Sequence, residues 1–156
     1  MKRIVTLIVL CTALFVGTGC QTLLHSAHYQ LIPTYLRCEY RTEPLGIDVT
    51  SPRLSWQLQS NERGQKQTAY QVYVASSDQL LKNNEPDMWN SGQVQSDNTT
   101  AVVYAGKPLE SNQAYFWKVC VWDADGNLSG WSRPAKWSMG LLNPKDLKAE
   151  WIGHEI

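Results

Sequence analysis

The densest group of chemically capable side chains lies between residues 121 and 137. The stretch VWDADGNL (121–128) holds Trp122, two aspartates and a glycine, and SGWSRPAKW (129–137) holds Trp131, another tryptophan, a proline and two cations. Aromatic rings with a polar edge suit sugar binding, and closely spaced carboxylates suit calcium. The same composition is also typical of a tight turn between two strands. The first two interpretations each imply a ligand, whereas a turn has only a structural role.

A calcium loop is the interpretation that the spacing excludes. A loop of the EF-hand type needs oxygen ligands at positions 1, 3 and 5 and a glycine at position 6. Asp123 and Asp125 are followed at once by Gly126, so a third ligand is missing and the register fails. Asp-Gly-Asn between two strand-like runs instead predicts a tight turn with Gly126 at positive φ. We expect Pro134 to begin an edge strand and Arg133 to lie over a neighbouring indole.

A sugar platform remains the alternative for the tryptophans of this segment. The segment is interpreted primarily as a turn with a packed flank, but exposed aromatic faces can also mark a binding surface. Trp122 and Trp131 are therefore candidate carbohydrate contacts.

The rest of the sequence offers no catalytic, cofactor or metal pattern. It has no CxxC or HExxH motif, no phosphate-binding glycine loop and no Ser-His-Asp order in a suitable context. His25 and His28 lack further ligands nearby and are interpreted as part of a solvated linker. A glycosidase needs two carboxylates about 5–9.5 Å apart across a cleft, whereas the acids here are scattered over predicted loops. These acids are Glu43, Asp48, Glu62, Asp78, Glu85, Asp87, Asp97 and Glu110.

The charge balance argues against a nucleic-acid partner. The chain carries 14 basic and 14 acidic residues. Removal of Lys2 and Arg3 with a leader would leave 12 basic against 14 acidic residues, a net charge of −2. Neither balance gives the basic surface that nucleic acids require. Seven Trp and seven Tyr stand against two Phe, a bias toward rings that have one polar edge in water.

The N-terminus has the pattern of an export signal. The cations of MKR precede the apolar run IVTLIVLCTALFV, and small residues follow in GTGC. The run is too short to cross a membrane. It resembles a bacterial lipoprotein signal, which predicts a signal peptide over 1–19, a lipidated Cys20, a tether over 20–34 and a location in the bacterial cell envelope. The alternative is ordinary cleavage that leaves Cys20 as a free thiol.

The body of the chain has the two-residue alternation of β-strands. Seven strand candidates separated by turn residues predict an all-β fold, an antiparallel seven-strand β-sandwich of the fibronectin type III or immunoglobulin kind over 35–142. SDQLLKNN is expected to form one short helix, capped by Ser77 or Asp78. Whether Cys38 and Cys120 form a disulfide is left open, since the sequence does not give their separation. The alternating positions expected in the core are Trp56, Tyr70, Val72, Tyr115, Trp117 and Val119.

One spacing makes the sandwich prediction more specific. Leu109 precedes Tyr115 by six residues, and Tyr115 opens the longest predicted strand. A tyrosine at this place can return its hydroxyl group to the backbone of the preceding corner, as in Greek-key sandwiches. We therefore predict a tyrosine corner at Tyr115.

Several motifs in order carry a resemblance to a known family. They are PLGID followed by PRLSW, the Trp-x-Ser-Gly of residues 89–92, the Tyr-x-Trp-x-Val of 115–119, and the closing WIG of 151–153. Together they resemble the N-terminal β-sandwich of bacterial α-L-rhamnosidases of glycoside hydrolase family 78, over about residues 36–153.

The resemblance implies a multidomain exported enzyme that removes terminal rhamnose from glycans or plant glycosides by inversion. In that family the acid and base lie in a barrel far downstream, so no catalytic residue can be assigned here. Residues 143–156 are expected to be a linker toward a following domain. The expected partners are a rhamnosidase catalytic domain or carbohydrate, with the membrane reached through the lipid anchor. The alternative is a stand-alone carbohydrate-binding surface lipoprotein.

Overall fold

The computed structural model describes residues 31–148 of the protein. The predicted signal peptide, the predicted lipidation site Cys20, most of the predicted tether and the last part of the predicted linker lie outside the described residues. The strands are β1 (Ile32–Cys38), β2 (Arg53–Gln59), β3 (Ala69–Ala75), β4 (Trp89–Asn90), β5 (Val94–Gln95), β6 (Val102–Val103), β7 (Ala114–Trp122) and β8 (Ala135–Ser138). One helix, α1 (Asp78–Lys82), follows β3, and a 3₁₀ turn spans Pro144–Asp146.

The strands form two antiparallel sheets that pack face to face. One sheet has the order β1-β2-β6, and the other has the order β4-β3-β7-β8, with β5 also paired to β3. This arrangement confirms the fibronectin type III/immunoglobulin-like sandwich. The eight segments correspond to the seven predicted strands, because β4 and β5 are halves of one predicted strand. They are separated at Gly92, which has a φ of 62°.

The alternating positions of the strands supply the core. All six side chains predicted there are buried, and Trp56 and Tyr70 meet edge to face with ring centroids 5.2 Å apart. The Trp56 indole N–H donates to Gln67 Oε1 at 3.0 Å, and Gln67 in turn donates to the carbonyls of residues 96 and 98. This buried hydrogen-bond network is stable because each of these polar groups has a hydrogen-bond partner.

The tyrosine corner is present as predicted. The hydroxyl oxygen of Tyr115 accepts a hydrogen bond from the backbone N–H of Glu110 at 2.9 Å, and Leu109 is buried beside it. This bond fixes the crossing between the sheets immediately before β7.

The first strand begins earlier than the sequence indicated, at Ile32 and not at Tyr35. A register shift lies between Thr34 and Arg37, and Tyr35 has a φ of 50°. The extra residue moves Leu36 into the core, so Pro33, Leu36 and Cys38 are buried. Two-residue alternation is broken at this point, which is why the pattern did not reveal the start of β1.

The edge of β8 is covered by the segment 44–47. Ile47 and Met139 form a parallel bridge, the Ile47 N–H donates to Ser138 O at 2.9 Å, and the Ser138 N–H donates to Pro44 O at 3.0 Å. Gly46 makes the turn with a φ of 70°, a conformation that other residues rarely adopt. The PLGID motif therefore carries the chain from the first sheet to the edge of the second.

The short helix forms where it was predicted, with Ser77 as its N-cap. The Ser77 side chain accepts from the Leu80 N–H at 3.3 Å, and Leu81 is fully buried against the outer face of the five-stranded sheet. Five residues are too few for a stable helix in isolation, so α1 depends on this packing.

The stretch after β8 contains more structure than expected. Pro144–Asp146 forms a 3₁₀ turn, Asp146 hydrogen-bonds Ser111, and the Leu142 N–H donates to Ser111 Oγ at 2.8 Å. The linker expected from 143 thus begins with a segment attached to the loop of the tyrosine corner.

Cys38 and Cys120 are both buried free thiols, one in each sheet. Burial raises the pKa of each thiol to about 12. Both are therefore protonated and unreactive at neutral pH. Between residues 31 and 148, no helix has the length and apolar character that spanning a membrane would require.

Candidate functional site

The turn at 123–127 is organised by one buried carboxylate. Asp123 Oδ1 accepts from the backbone N–H groups of Asp125 at 2.9 Å and Asn127 at 2.8 Å, and Oδ2 accepts from the Asn127 side chain at 3.1 Å. Gly126 has a φ of 80°, as predicted for a tight turn. Burial by itself would raise the pKa of Asp123, but the hydrogen bonds from Asn127, Asp125 and Gly126 outweigh it and lower the pKa.

The segment after the turn pairs with β7 through two serines. Ser129 Oγ accepts from the Val121 N–H at 2.9 Å, and the Ser129 N–H donates to Val121 O at 2.8 Å. Ser132 makes the same pair of bonds to Val119, at 3.1 and 2.9 Å. The serine hydroxyl groups thus accept from the β7 N–H groups in place of backbone carbonyls. The bonded positions are two residues apart on β7 but three residues apart between Ser129 and Ser132, and this bulge carries Trp131, which lies over the outer face of the sheet.

Trp131 packs against two residues of that face. Its ring lies 4.4 Å from the Tyr73 ring and 4.9 Å from the Lys118 ammonium group. The prediction that Arg133 lies over an indole is wrong. The cation over the Trp131 ring is Lys118, and Arg133 is exposed. The strand register explains the exchange, since it pairs Lys118 with Tyr73 directly beneath the ring.

Lys118 is a buried lysine that sequence reasoning missed. Its Nζ donates to Leu81 O at 2.7 Å and to Asn84 Oδ1 at 2.6 Å, so it satisfies the carbonyl end of α1. Burial lowers the pKa of the ammonium group. In the sequence Lys118 occupies an outward position of an alternating strand, which usually means exposure to solvent. The available signal was the short helix after β3, whose last carbonyls need donors.

The two candidate tryptophans do not share one groove. Trp122 is half-buried at the end of β7, where it pairs with Ala69 and bridges to Leu128. Trp131 is also half-buried and lines a groove of about 550 Å³ between β1 and residues 131–135. Trp122 is not among the residues that line this groove. The role of either tryptophan as a sugar contact stays a prediction.

The groove has aromatic and polar groups on both walls. Tyr35 and Thr34 come from β1, while Trp131 and Arg133 come from the opposite segment. Glu43 lies at the groove from the loop after β1 and has a φ of 45°. Neither Glu43 nor Arg133 forms an ion pair with another residue of the described range.

Four carboxyl groups of the described range have a shifted pKa, and in each of them the pKa is lowered. A hydrogen bond from Arg53 lowers the pKa of Glu39, and a hydrogen bond from Ser111 lowers that of Asp146. Burial opposes the shift at Asp87, but the bonds from Ser76 and its backbone lower that pKa too. Asp123 follows the same pattern. Within residues 31–148, no group of three or more His, Cys, Asp or Glu side chains could hold a metal ion.

Comparison with known proteins identifies relatives for most of the described residues. A family model described as the N-terminal immunoglobulin domain of Rha78A-like proteins matches residues 33–143. A protein of Streptomyces avermitilis named alpha-L-rhamnosidase is 50% identical over 114 residues, which are 73% of this chain and 11% of that protein. One from Formosa agariphila with the same name is 46% identical over 110 residues, covering 70% of this chain and 12% of that protein.

A solved structure agrees with the sequence relatives. The crystal structure of Streptomyces avermitilis alpha-L-rhamnosidase complexed with L-rhamnose matches with a TM-score of 0.75 and 47% identity. The match covers 80% of this chain and 12% of that one. The chain spans only 11–13% of the length of the curated relatives that it matches.

Proposed function

The chain belongs to the family of Rha78A-like N-terminal immunoglobulin domains, and on that premise we propose that it serves as the N-terminal accessory domain of an exported α-L-rhamnosidase acting on rhamnose-containing glycans. The observation that carries the proposal is the match of 50% identity to about a tenth of an enzyme of that name. The residues that hydrolyse the glycoside would then lie in other parts of the enzyme.

The chemistry of the described carboxyl groups supports a role without catalysis. A glycosidase needs a general acid whose pKa is raised, facing a second carboxylate. The four carboxyl groups with shifted pKa are all shifted downward, and each is bound to a structural partner. Glu43 is the single carboxylate that lines the groove of about 550 Å³. We infer that the domain packs against a catalytic domain and spaces it from the point of attachment.

Hydrolysis of an aryl α-L-rhamnoside tests this role. The full chain by itself should release no aryl alcohol above the rate of a heat-denatured sample. The same chain continued through the reading frame that follows it should be active if that frame encodes a rhamnosidase catalytic region. Turnover that copurifies with the isolated chain, and disappears when one of its acids is replaced, would contradict the proposal.

The alternative function is that of a stand-alone carbohydrate-binding surface lipoprotein. The observation in its favour is the position of Trp131 in the wall of a groove. A downstream reading frame unrelated to rhamnosidases would favour this alternative over the accessory role.

We further propose that Cys20 carries lipid and attaches the protein to the bacterial cell envelope. The support comes from the sequence, in which GTGC closes the apolar run and a polar stretch follows. One acyl chain binds a bilayer only marginally, so the anchor would need the two or three chains that bacterial lipidation adds. Mass spectrometry should find a lipidated Cys20 at the mature N-terminus, and Cys20→Ala should move the protein from the membrane to the soluble fraction. An unmodified Cys20 would refute this part.

A further inference from the structure

The groove between β1 and residues 131–135 has the construction of a ligand site. Its volume of about 550 Å³ lies within the range of about 300–1,000 Å³ typical of small-molecule sites. Buried Leu36 contributes to its lining, and aromatic residues stand on both of its walls.

Tyr35 is placed at the groove by a backbone distortion. The register shift between Thr34 and Arg37 is a β-bulge, and Tyr35 has a φ of 50°. A bulge re-aims a side chain, and positive φ in a bulky residue is an outlier that tends to mark a functional position. Tyr35 is 50% exposed, and the Arg37 guanidinium group lies over its ring at 4.0 Å. An amphipathic ring is thus presented to solvent on a supported strand.

Trp131 supplies the opposite ring. Its contacts with Tyr73 and Lys118 hold it on the outer face of the sheet, and the two serine pairs to β7 hold its backbone. The ring is therefore placed before any ligand binds, which reduces the entropy that binding loses.

Two opposite charges complete the site. Glu43 is the second strained residue at the groove, with a φ of 45°, and Arg133 lies on the other wall. Neither is in an ion pair within the described part of the chain. Together they add no net charge, so the groove suits a neutral ligand with several hydroxyl groups better than an anion or a cation.

We propose that this groove binds a neutral saccharide, with the sugar ring against Tyr35 and Trp131 and its hydroxyl groups bonded to Glu43 and Arg133. The carboxylate accepts hydrogen bonds from hydroxyl groups and the guanidinium group donates to them. Trp122 has no part in this site. The inference gives the domain a ligand of its own, and it rests on the proposed function only for the choice of a rhamnoside as the first probe.

The test is an NMR titration of the full chain with methyl α-L-rhamnoside, repeated with methyl β-D-glucoside. We expect saturable shifts of the Trp131 indole N–H and of the amides near Tyr35. Tyr35→Ala and Glu43→Gln should each raise Kd at least fivefold, and Tyr35→Phe should retain most of the affinity.

Tyr40→Ala is the matched control. Tyr40 is 54% exposed and also lies beneath an arginine, with Arg53 at 4.8 Å from its ring, but it is not part of the groove. It should leave Kd unchanged. Equal binding of both glycosides supports the saccharide groove and shows that it does not select rhamnose.

Three results would overturn the proposal: no saturable shift with either glycoside, an unchanged Kd in Tyr35→Ala, or an equal loss in Tyr40→Ala. Unchanged amide spectra of the remaining strands would show that the variants fold. None of these results bears on hydrolysis or on the downstream reading frame. The accessory role is therefore tested independently of this site.

Discussion

Asp123 illustrates how a residue that looks reactive in the sequence can have a structural role. Its two carboxylate oxygens accept three hydrogen bonds from the turn that follows, and the side chain is almost completely buried. Because the bonded acceptor is ionised, each bond is stronger than one between neutral groups. The carboxylate therefore stabilises the connection between β7 and residues 129–135, here called the Trp131 segment, and both of its oxygens are already bonded within the turn.

Replacing Asp123 should make the protein less stable and change its response to acid. Asp123→Asn keeps one acceptor but loses the charge, so the free energy of unfolding at pH 7 should fall by about 1.5–3 kcal/mol. The folded pKa is lowered, so the stabilisation is complete above the unfolded pKa of about 3.9 and is lost as the pH falls through the folded pKa. The difference between wild type and variant in urea unfolding should therefore shrink below pH 4.

Asp125→Asn is the control for that measurement, because Asp125 is an exposed neighbour in the same turn. The urea unfolding curve of Asp125→Asn should follow that of the wild type both at pH 7 and below pH 4. A difference for Asp123→Asn that does not shrink in acid would show that the carboxylate charge contributes nothing.

At the scale of elements, α1 depends on the strand beneath it. The helix has one turn, its N-terminus is capped by Ser77, and its carbonyl end is bonded by Lys118 from β7. Lys118, on the outer face of β7, thus supplies an additional donor to the carbonyl end of the helix. The outer face carries a second, smaller packed layer, in which Leu81, Lys118 and Trp131 cover the sheet.

Lys118→Ala should loosen the helix and leave the sandwich intact. It removes the bond to Asn84 Oδ1 and the bond to Leu81 O, which still accepts from the Asn84 N–H at 3.2 Å. Loss of these bonds to a charged group should cost about 1.5–3 kcal/mol. Hydrogen exchange should become faster at the amides of α1 and in the Trp131 segment, with little change in β3 and β7. Lys136→Ala, at an exposed lysine on β8, should change neither. Equal acceleration throughout β7 would mean that Lys118 supports the whole sheet.

At the scale of the whole molecule, exposed apolar side chains collect at one end of the sandwich. Tyr40, Leu45 and Val49 line a cleft of about 380 Å³, and Leu45 is 81% exposed. Leu141 is joined to this end because the Gly140 N–H donates to Ile47 O at 2.7 Å. We name these four residues the end patch. Patches of this kind on soluble proteins usually mark contact surfaces, and the patch lies beside the stretch that leads out of β8.

The end patch should make the isolated chain associate weakly at high concentration. Leu45→Glu should lower the weight-average mass in sedimentation equilibrium by weakening that association. The melting temperature should change little, because Leu45 contributes almost nothing to the core. Leu128→Glu, at a half-exposed leucine of the β7 turn, is the control and should associate as the wild type does. A fall of many degrees in Leu45→Glu would mean that the patch belongs to the fold.

The sequence by itself determined the sandwich, its core positions, the short helix after β3, the tyrosine corner and the turn at Gly126, because these depend on local alternation and on residues with particular backbone preferences. Tertiary structure alone decided the rest. The bulge that turns Tyr35 outward, the parallel pairing of Ile47 with Met139, and the burial of Lys118 each depend on an element distant in the chain. The alternation of apolar and polar residues indicates which face of a strand is apolar. Only the packing of both sheets shows what covers the other face. The groove of Tyr35, Glu43, Trp131 and Arg133 therefore emerges only when β1 and the segment before β8 are brought side by side.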